Sequence, residues 1–272
     1  MLGDSKRVLA IGAHPDDCDI KVGGVANKYA SAGHDVKFLS LTNGSAGHHR
    51  LSGSELVERR RRETRKSAAV AGIDYEVYDN EDGELQPTLD NRRELIREIR
   101  EYDPDLVLAP RPNDYHPDHR YTSRLVQDSA YMVTVPNICP DVEPLSTDPV
   151  IAYVQDGFEK PYPFDPAVVV DIDDVVDDKL EMLHQHTSQF YEWLPYNRGN
   201  LDEVPDDEGA RKEWLATEWL TESKQVADDY RELLVERYGE ERGHEVDYAE
   251  AFEPCEYGSP LTAEDEEVLF PF

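Results

Sequence analysis

The chain has 272 residues, 39% of them hydrophobic, with 59 acidic against 28 basic side chains and a formal net charge of −31. That length and apolar share fit one α/β domain with peripheral additions and exclude overall disorder. A field of that sign repels nucleic acid and anionic membrane, because phosphate binding needs a basic footprint, so neither partner is expected.

The first apolar run, residues 8–13, is too short for a signal segment or a spanning helix, and no later stretch approaches twenty apolar residues. A soluble, cytoplasmic protein is expected. Residues 8–13 read as a buried strand, 22–32 as a helix ending at Gly33, and 36–42 as a second strand. This β-α-β start implies a right-handed crossover and a parallel sheet. A polar, glycine-containing loop at 43–53 precedes a helix over 54–71, capped by Ser54 and closed by Gly72. A strand at 75–78, a helix at 91–101 and a strand at 105–109 complete the alternation. The fold class is therefore a Rossmann-like, doubly wound, mostly parallel α/β sheet flanked by helices.

Beyond it, the proline-rich segment 135–166 is expected to give loops and one or two strands, with helices over 171–193 and 210–238. The acidic stretch 263–267 is expected to be loosely ordered. The chain divides into 1–125, an α/β half carrying the site, and 126–272, peripheral strands and helices of the same single domain. Cys18, Cys139 and Cys255 are odd in number and far apart, which does not suggest a disulfide framework. Acidic residues recurring along the whole chain, with only 9 Lys against 19 Arg, suggest a high-salt habitat, where screening makes self-repulsion tolerable. Melting temperature against KCl concentration tests that reading, and equal stability at low salt counts against it.

Two clusters carry the chemistry. His14-Pro15-Asp16-Asp17 stands where the first strand ends, and His116-Pro117-Asp118-His119 lies just past the strand at 105–109. In open α/β sheets the carboxyl ends of strands form the ligand crevice. A lone His beside a strand is ordinarily a satisfied polar residue, and Asp-Asp an ordinary turn. Two such clusters at equivalent strand ends instead suit one metal ion held by imidazole and carboxylate, with a position left for water.

At these residues the sequence resembles the LmbE-like or PIG-L-type N-acetylglucosaminyl deacetylases. The likeness takes in AHPDD at 13–17, the glycine pair at 23–24, AGH at 32–34 and LTNGSAG at 41–47. It continues through Arg60, Glu63 and Gly72, DGEL at 82–85, HPDHR at 116–120, and Lys179 with the His-x-Ser-Gln run ending at Gln189. Cys18, after the aspartate pair, is reminiscent of archaeal diacetylchitobiose deacetylases within that family.

The resemblance implies a metal-dependent, zinc-using de-N-acetylase of an N-acetylglucosamine-type sugar, with His14, Asp17 and His119 as ligands and Asp16 as general base. Another divalent transition metal would serve the same ligands. His116 would stabilise the oxyanion and, as an imidazolium, protonate the leaving amine, with Asp118 orienting its ring. Arg60 and Asp82 look like positions that support the site or touch the sugar. His186 is a candidate late contribution, and His48 and His49 are candidate contacts from the loop. A homo-oligomer, trimer or hexamer, is implied too.

Three rival functions remain open to different degrees. A dinucleotide-binding oxidoreductase lacks its glycine fingerprint, and two carboxylates at the first turn would repel a pyrophosphate. A non-catalytic metal- or carbohydrate-binding protein would need no spare base, whereas Asp16 and His116 are both present. A hydrolase of some other amide is compatible with the same residues, since fold and metal site do not fix a substrate.

Overall fold

A computed structural model describes residues 5–272. One seven-stranded sheet runs through it in the order β3-β2-β1-β4-β5-β7-β6. The strands are β1 (Arg7–Gly12), β2 (Asp35–Ser40), β3 (Asp74–Val77), β4 (Leu106–Ala109), β5 (Val150–Val154), β6 (Val168–Asp171) and β7 (Ala249–Pro254). The helices are α1 (Asp17–Ser31), α2 (Gly53–Ala71), α3 (Leu89–Tyr102), α4 (Pro117–Ala130), α5 (Val176–Gln185) and α6 (Leu194–Arg198). Five more follow: α7 (Glu208–Trp219), α8 (Thr221–Asp229), α9 (Arg231–Tyr238), α10 (Glu240–Glu245) and α11 (Ala263–Leu269).

Strands β1 to β5 pair in parallel, and β7 runs antiparallel to both its neighbours. The mostly parallel α/β class read from the sequence is the one observed. Alternate residues of β1 serve opposite layers, as a strand covered on both faces must. Val8 and Ala10 pack with Val22, Val25, Ala26 and Tyr29 of α1. Leu9 and Ile11 pack with Leu95, Ile96 and Ile99 of α3 and Leu125 and Val126 of α4. No described helix is long and apolar enough to cross a membrane, and Cys18, Cys139 and Cys255 are buried and unpaired.

Several elements depart from the sequence reading. Helix α1 starts at Asp17 rather than at 22, so the polar Asp17 and Asp19 form its first turn, where carboxylates favour the positive end of the helix dipole. Helix α4 opens directly on the second cluster: His116 is its N-cap, its ring nitrogen accepting from the Asp118 N–H, and Pro117 occupies the first turn. Helix α2 is capped at Ser52, which leaves Ser54 inside its first turn.

The helix expected over 171–193 is interrupted. Asp171 ends β6, α5 stops at Gln185, and Gln189–Trp193 form a π turn. The long helix expected over 210–238 is three short ones. Strand β7 escaped notice because Glu250 and Glu253 break its apolar pattern. Glu250 is fully buried and satisfied by Lys179 and by the Gly24 and Val25 N–H groups. The acidic end is ordered as α11, whose Thr262 and Asp265 form a reciprocal capping box.

The strand order reverses at β1, whose neighbours are β2 and β4. That is the switch point at which the two crossover connections diverge and open a crevice above the carboxyl ends. The His14 cluster leaves β1 there, and the His116 cluster follows β4.

Candidate active site

A cavity of about 720 Å³ opens at this edge, with His14, Asp16, Asp17, Asp82, His116 and His119 among its lining residues. The turn from β1 into α1 is tight: a side chain at Gly12 would bring its Cβ within 2.8 Å of Asp17 Cβ. Gly44, at φ +69°, takes a left-handed conformation beside Pro15 and Arg60, closing the loop over the base of the site.

Three donor atoms from the two strand ends form a triangle. His14 Nδ1 lies 3.1 Å from His119 Nε2 and 3.5 Å from Asp17 Oδ2, and His119 Nε2 lies 3.4 Å from Asp17 Oδ2. Donors bonded at about 2.0–2.2 Å to a tetrahedral ion stand about 3.3–3.6 Å apart, so two edges of the triangle match a tetrahedral face and the His14–His119 edge is slightly shorter. Asp17 Oδ2 is fixed by the Ala13 and His14 N–H groups at 2.9 and 2.8 Å. The far nitrogen of each imidazole faces carboxylate: His119 Nδ1 meets Asp114 at 3.0 Å, while His14 Nε2 lies 3.2 Å from Asp82 and 3.4 Å from Asp118. A carboxylate behind a ligating histidine fixes its ring and raises its basicity, so the donor set fits a divalent transition metal. His116 also brings a nitrogen within 4.8 Å of donor nitrogens on His14 and His119.

Neighbouring aspartates are driven apart in acidity. Burial opposes ionisation of Asp17, but His119 and His14 outweigh it and hold the carboxyl well below the usual range. For Asp16, burial pushes the pKa up against the pull of Arg60, with the Asp17 charge adding to the rise. Arg60, 1% exposed, donates from Nη2 to Asp16 Oδ1 at 2.8 Å. It belongs to the buried face of α2 although its neighbours in the Arg59–Arg62 run are polar-facing. For His119, burial works against the charged form, yet Asp17 and Asp114 raise the pKa to about 9. His14 is likewise raised, against burial, by Asp17, Asp118 and Asp82. His116 is lowered by burial and by the neighbouring His14 and His119.

Some expected roles are redistributed. The Asp118 carboxylate, fully buried, accepts from the Gly83 N–H at 2.7 Å and faces His14, so it does not orient His116. Only its backbone touches that ring, Asp118 N–H donating to His116 Nδ1 at 3.2 Å. This places the proton of a neutral His116 on Nε2. Asp82 lines the cavity but faces His14 and accepts from the Ala46 N–H, which makes it a support for a ring as much as a sugar contact.

His186 is no cavity residue. It is fully buried, with Nε2 3.2 Å from Asp19 Oδ1, because the chain turns inward where α5 ends. His48 is bonded to Glu192 and to the Arg50 and Leu51 N–H groups, and His49 stacks between His48 and Tyr196. Neither lines the cavity; both fix the loop. Cys18 does line it, as a thiol whose pKa burial raises.

Asp114 was missed, and Gln189 was noted only as part of a motif. Asp114 backs His119 and also accepts from the His116 N–H at 2.7 Å, a capping position two residues before the motif. Gln189 lines the cavity and donates to the Gly47 carbonyl, joining the π turn to the loop after β2.

A doubly wound sheet with an imidazole–carboxylate cluster at its switch point has the architecture of an α/β protein with a ligand or metal site in its crevice. Residues 9–130 match the family model for PIG-L, GlcNAc-PI de-N-acetylase. The chain is 36% identical over 211 residues to a diacetylchitobiose deacetylase of Thermococcus kodakarensis, covering 72% of this chain and 76% of that one. It therefore belongs to the PIG-L/LmbE-like deacetylase family.

The solved N,N'-diacetylchitobiose deacetylase of Pyrococcus horikoshii superposes with a TM-score of 0.70 at 30% identity, covering 93% of this chain and 84% of that one. The 4-carboxy-2-hydroxymuconate hydratase GalB of Pseudomonas putida KT2440 reaches the same TM-score of 0.70 at 19% identity, covering 92% and 96%. That second likeness is one of fold alone, and it illustrates that the scaffold serves more than one reaction.

Proposed function

We propose that this chain is a metal-dependent hydrolase, using zinc or another divalent transition metal, that removes the acetyl group of an N-acetylglucosamine-type amino sugar. The observation that carries the reading is the triangle of His14 Nδ1, Asp17 Oδ2 and His119 Nε2, backed by carboxylates on the far side of both rings. These three residues would hold the ion. When bound, such an ion supplies Lewis acidity, polarising the amide carbonyl and lowering the pKa of water towards about 7.

Asp16 serves as general base for the attacking water. Burial raises its proton affinity, and the Arg60 guanidinium pulls it back down. His116, neutral and carrying its proton on Nε2, donates a hydrogen bond to the oxygen on which charge develops. The proton gathered by Asp16 then passes to the leaving amine. This revises the sequence reading of His116 as an imidazolium donor, because burial disfavours its charged form and the Asp118 N–H occupies its Nδ1. Asp118 and Asp82 act through His14 rather than on the substrate. The chain would act as a single cytoplasmic domain in a homotrimer or homohexamer, whose size light scattering reads directly.

The test is metal content together with acetate release from a panel of N-acetyl sugars. Native protein is expected to carry metal and release acetate. Asp16→Asn should keep the metal and lose roughly 10²–10⁴ in kcat, whereas His119→Ala should lose the metal and all activity. Full metal content in the His119 variant would remove that residue from the ligand set. Bound metal with no amide cleaved would leave a binding protein.

A further inference from the structure

Between β5 and β6 the chain crosses residues 155–167 as a strap with no helix or strand of its own. Three residues of the strap, Asp156, Gly157 and Phe158, line the cavity. Among the described residues, no backbone group of 156–166 bonds to another backbone group. A stretch of that kind owes its shape to the side chains that reach its carbonyls and N–H groups.

One side chain does most of this. Arg111, just past the end of β4, is 1% exposed. Its Nη1 donates to Asp156 Oδ1 at 2.8 Å and to the Phe158 carbonyl at 3.1 Å, and its Nη2 donates to the Tyr162 carbonyl at 2.8 Å. Nε lies 3.0 Å from Glu253 Oε2 on β7, an oxygen that also accepts from the Asp165 N–H at 3.3 Å. The guanidinium carbon stands over the rings of Tyr162 and Phe164, 4.9 and 5.7 Å from their centroids. Two carboxylates satisfy the buried cation, and its planar fork reaches both ends of the strap at once, which the compact ammonium of a lysine would not. Phe158 is held most closely: its N–H donates to the same Asp156 Oδ1 at 2.9 Å, and its carbonyl accepts from Arg111.

The Phe158 ring held in this way stands 6.4 Å from the Tyr115 ring, tilted by 36°. Tyr115, between Asp114 and His116 in the chain, sets its ring edge-on to His116 and His119 at 5.7 and 5.6 Å, and also lines the cavity. The two rings form an apolar shelf directly beside the imidazole cluster. A cavity of about 720 Å³ has room for more than one monosaccharide. We infer that Arg111 is a positioning residue: by fixing the strap it holds Phe158 beside Tyr115, and the shelf takes the group joined to the acetylated sugar. The inference rests on the amino-sugar reading above and adds that the site selects a substituent with an apolar face.

Two probes decide it: the phenyl and the methyl β-glycosides of N-acetylglucosamine. Binding of each is measured by calorimetry, with acetate release followed in parallel. Native protein should bind the phenyl glycoside about fivefold more tightly than the methyl one. Phe158→Ala should cut that preference to below about twofold, and Arg111→Lys, which keeps a charge between Asp156 and Glu253 but loses the fork, should lower it part of the way. The double variant should lose nothing beyond Phe158→Ala, because both changes act on one ring. A merely structural Arg111 would weaken both probes alike and leave their ratio in place. Equal affinities in native protein would overturn the inference, as would a preference that survives Phe158→Ala, which would put the phenyl group on Trp193 or Trp219 instead. A native ratio in folded Arg111→Lys would overturn the part played by Arg111. Should that variant not fold, Asp156→Ala removes the other support of Phe158 and is read in the same way, a native ratio again counting against the strap. Binding alone judges the shelf, whereas acetate release from either probe judges the hydrolase reading, so the two can fail separately.

Discussion

The floor of the cavity and its outer wall are built in opposite ways. The floor comes from two strand ends, 14–17 and 114–119, where parallel pairing of β1 with β4 fixes the backbone and short turns leave the side chains little freedom. Its polar groups answer one another: the His14 and His119 rings face carboxylates, and Asp16 has Arg60. The wall comes from the π turn and the short helices α6 to α8, and it carries Trp193, Trp219 and, stacked on Trp219, Arg198. A preorganised floor suits a fixed reaction, and a helical wall on a separate stretch of chain suits a variable substrate.

The largest effect that would test this division lies between the two regions. His186 and Asp19, both fully buried, join the end of α5 to the first turn of α1, and Ser67 of α2 donates to the same carboxylate. Removing one partner leaves an uncompensated buried charge, so His186→Ala should lower stability by about 3–5 kcal/mol in denaturant unfolding. KM for the sugar should hold, since His186 does not line the cavity. A raised KM with unchanged stability would instead put His186 in the substrate's path and blur the boundary between floor and wall.

The same contrast explains what the sequence made legible. The floor residues are adjacent in the chain, and the α/β alternation around them is strong enough to fix the topological edge on which they meet. Asp118 was placed correctly in the chain yet wrongly in space, because a residue at the second position of a helix that starts at Pro117 turns its carboxylate inward to Gly83 and His14. The wall was not legible. Trp219 and Arg198 lie 21 positions apart with no motif between them, and a break at the π turn, which brings them together, has no periodic signature. Strand β7 was hidden for a related reason: its buried glutamates owe their place to Lys179 and to helix N–H groups remote in sequence.

A second, smaller effect follows from the charge state of the floor. In metal-free protein His119 has a pKa raised to about 9, above the ordinary histidine value, and His14 is raised as well. The stabilisation that the protonated ring contributes is complete below about pH 6.5 and is lost as pH rises through about 9. A metal requires the neutral ring, so its apparent affinity should climb over that same interval and its uptake should release protons. Zinc titrations in two buffers of different ionisation enthalpy should give heats that differ in proportion. Heats independent of buffer at pH 7 would mean that the rings are already neutral at that pH and that the carboxylates behind them do not keep them protonated.

The smallest effect is also the most local. Arg60 pulls the Asp16 pKa down against the rise from burial, so its removal should move the acid limb of kcat/KM to higher pH, not lower. Arg60→Gln keeps a hydrogen-bond donor near Asp16 Oδ1 and removes only the charge. A rise of roughly one pH unit is expected, corresponding to about 1.4 kcal/mol of differential interaction between the two protonation states. Metal content should stay as it is, since the triangle is untouched. A limb that stays in place would mean that the base sensed by the rate is not Asp16. A shift accompanied by a raised KM for the sugar would mean that floor and wall are coupled through α2 and the loop it supports, rather than acting as the independent regions that the geometry describes.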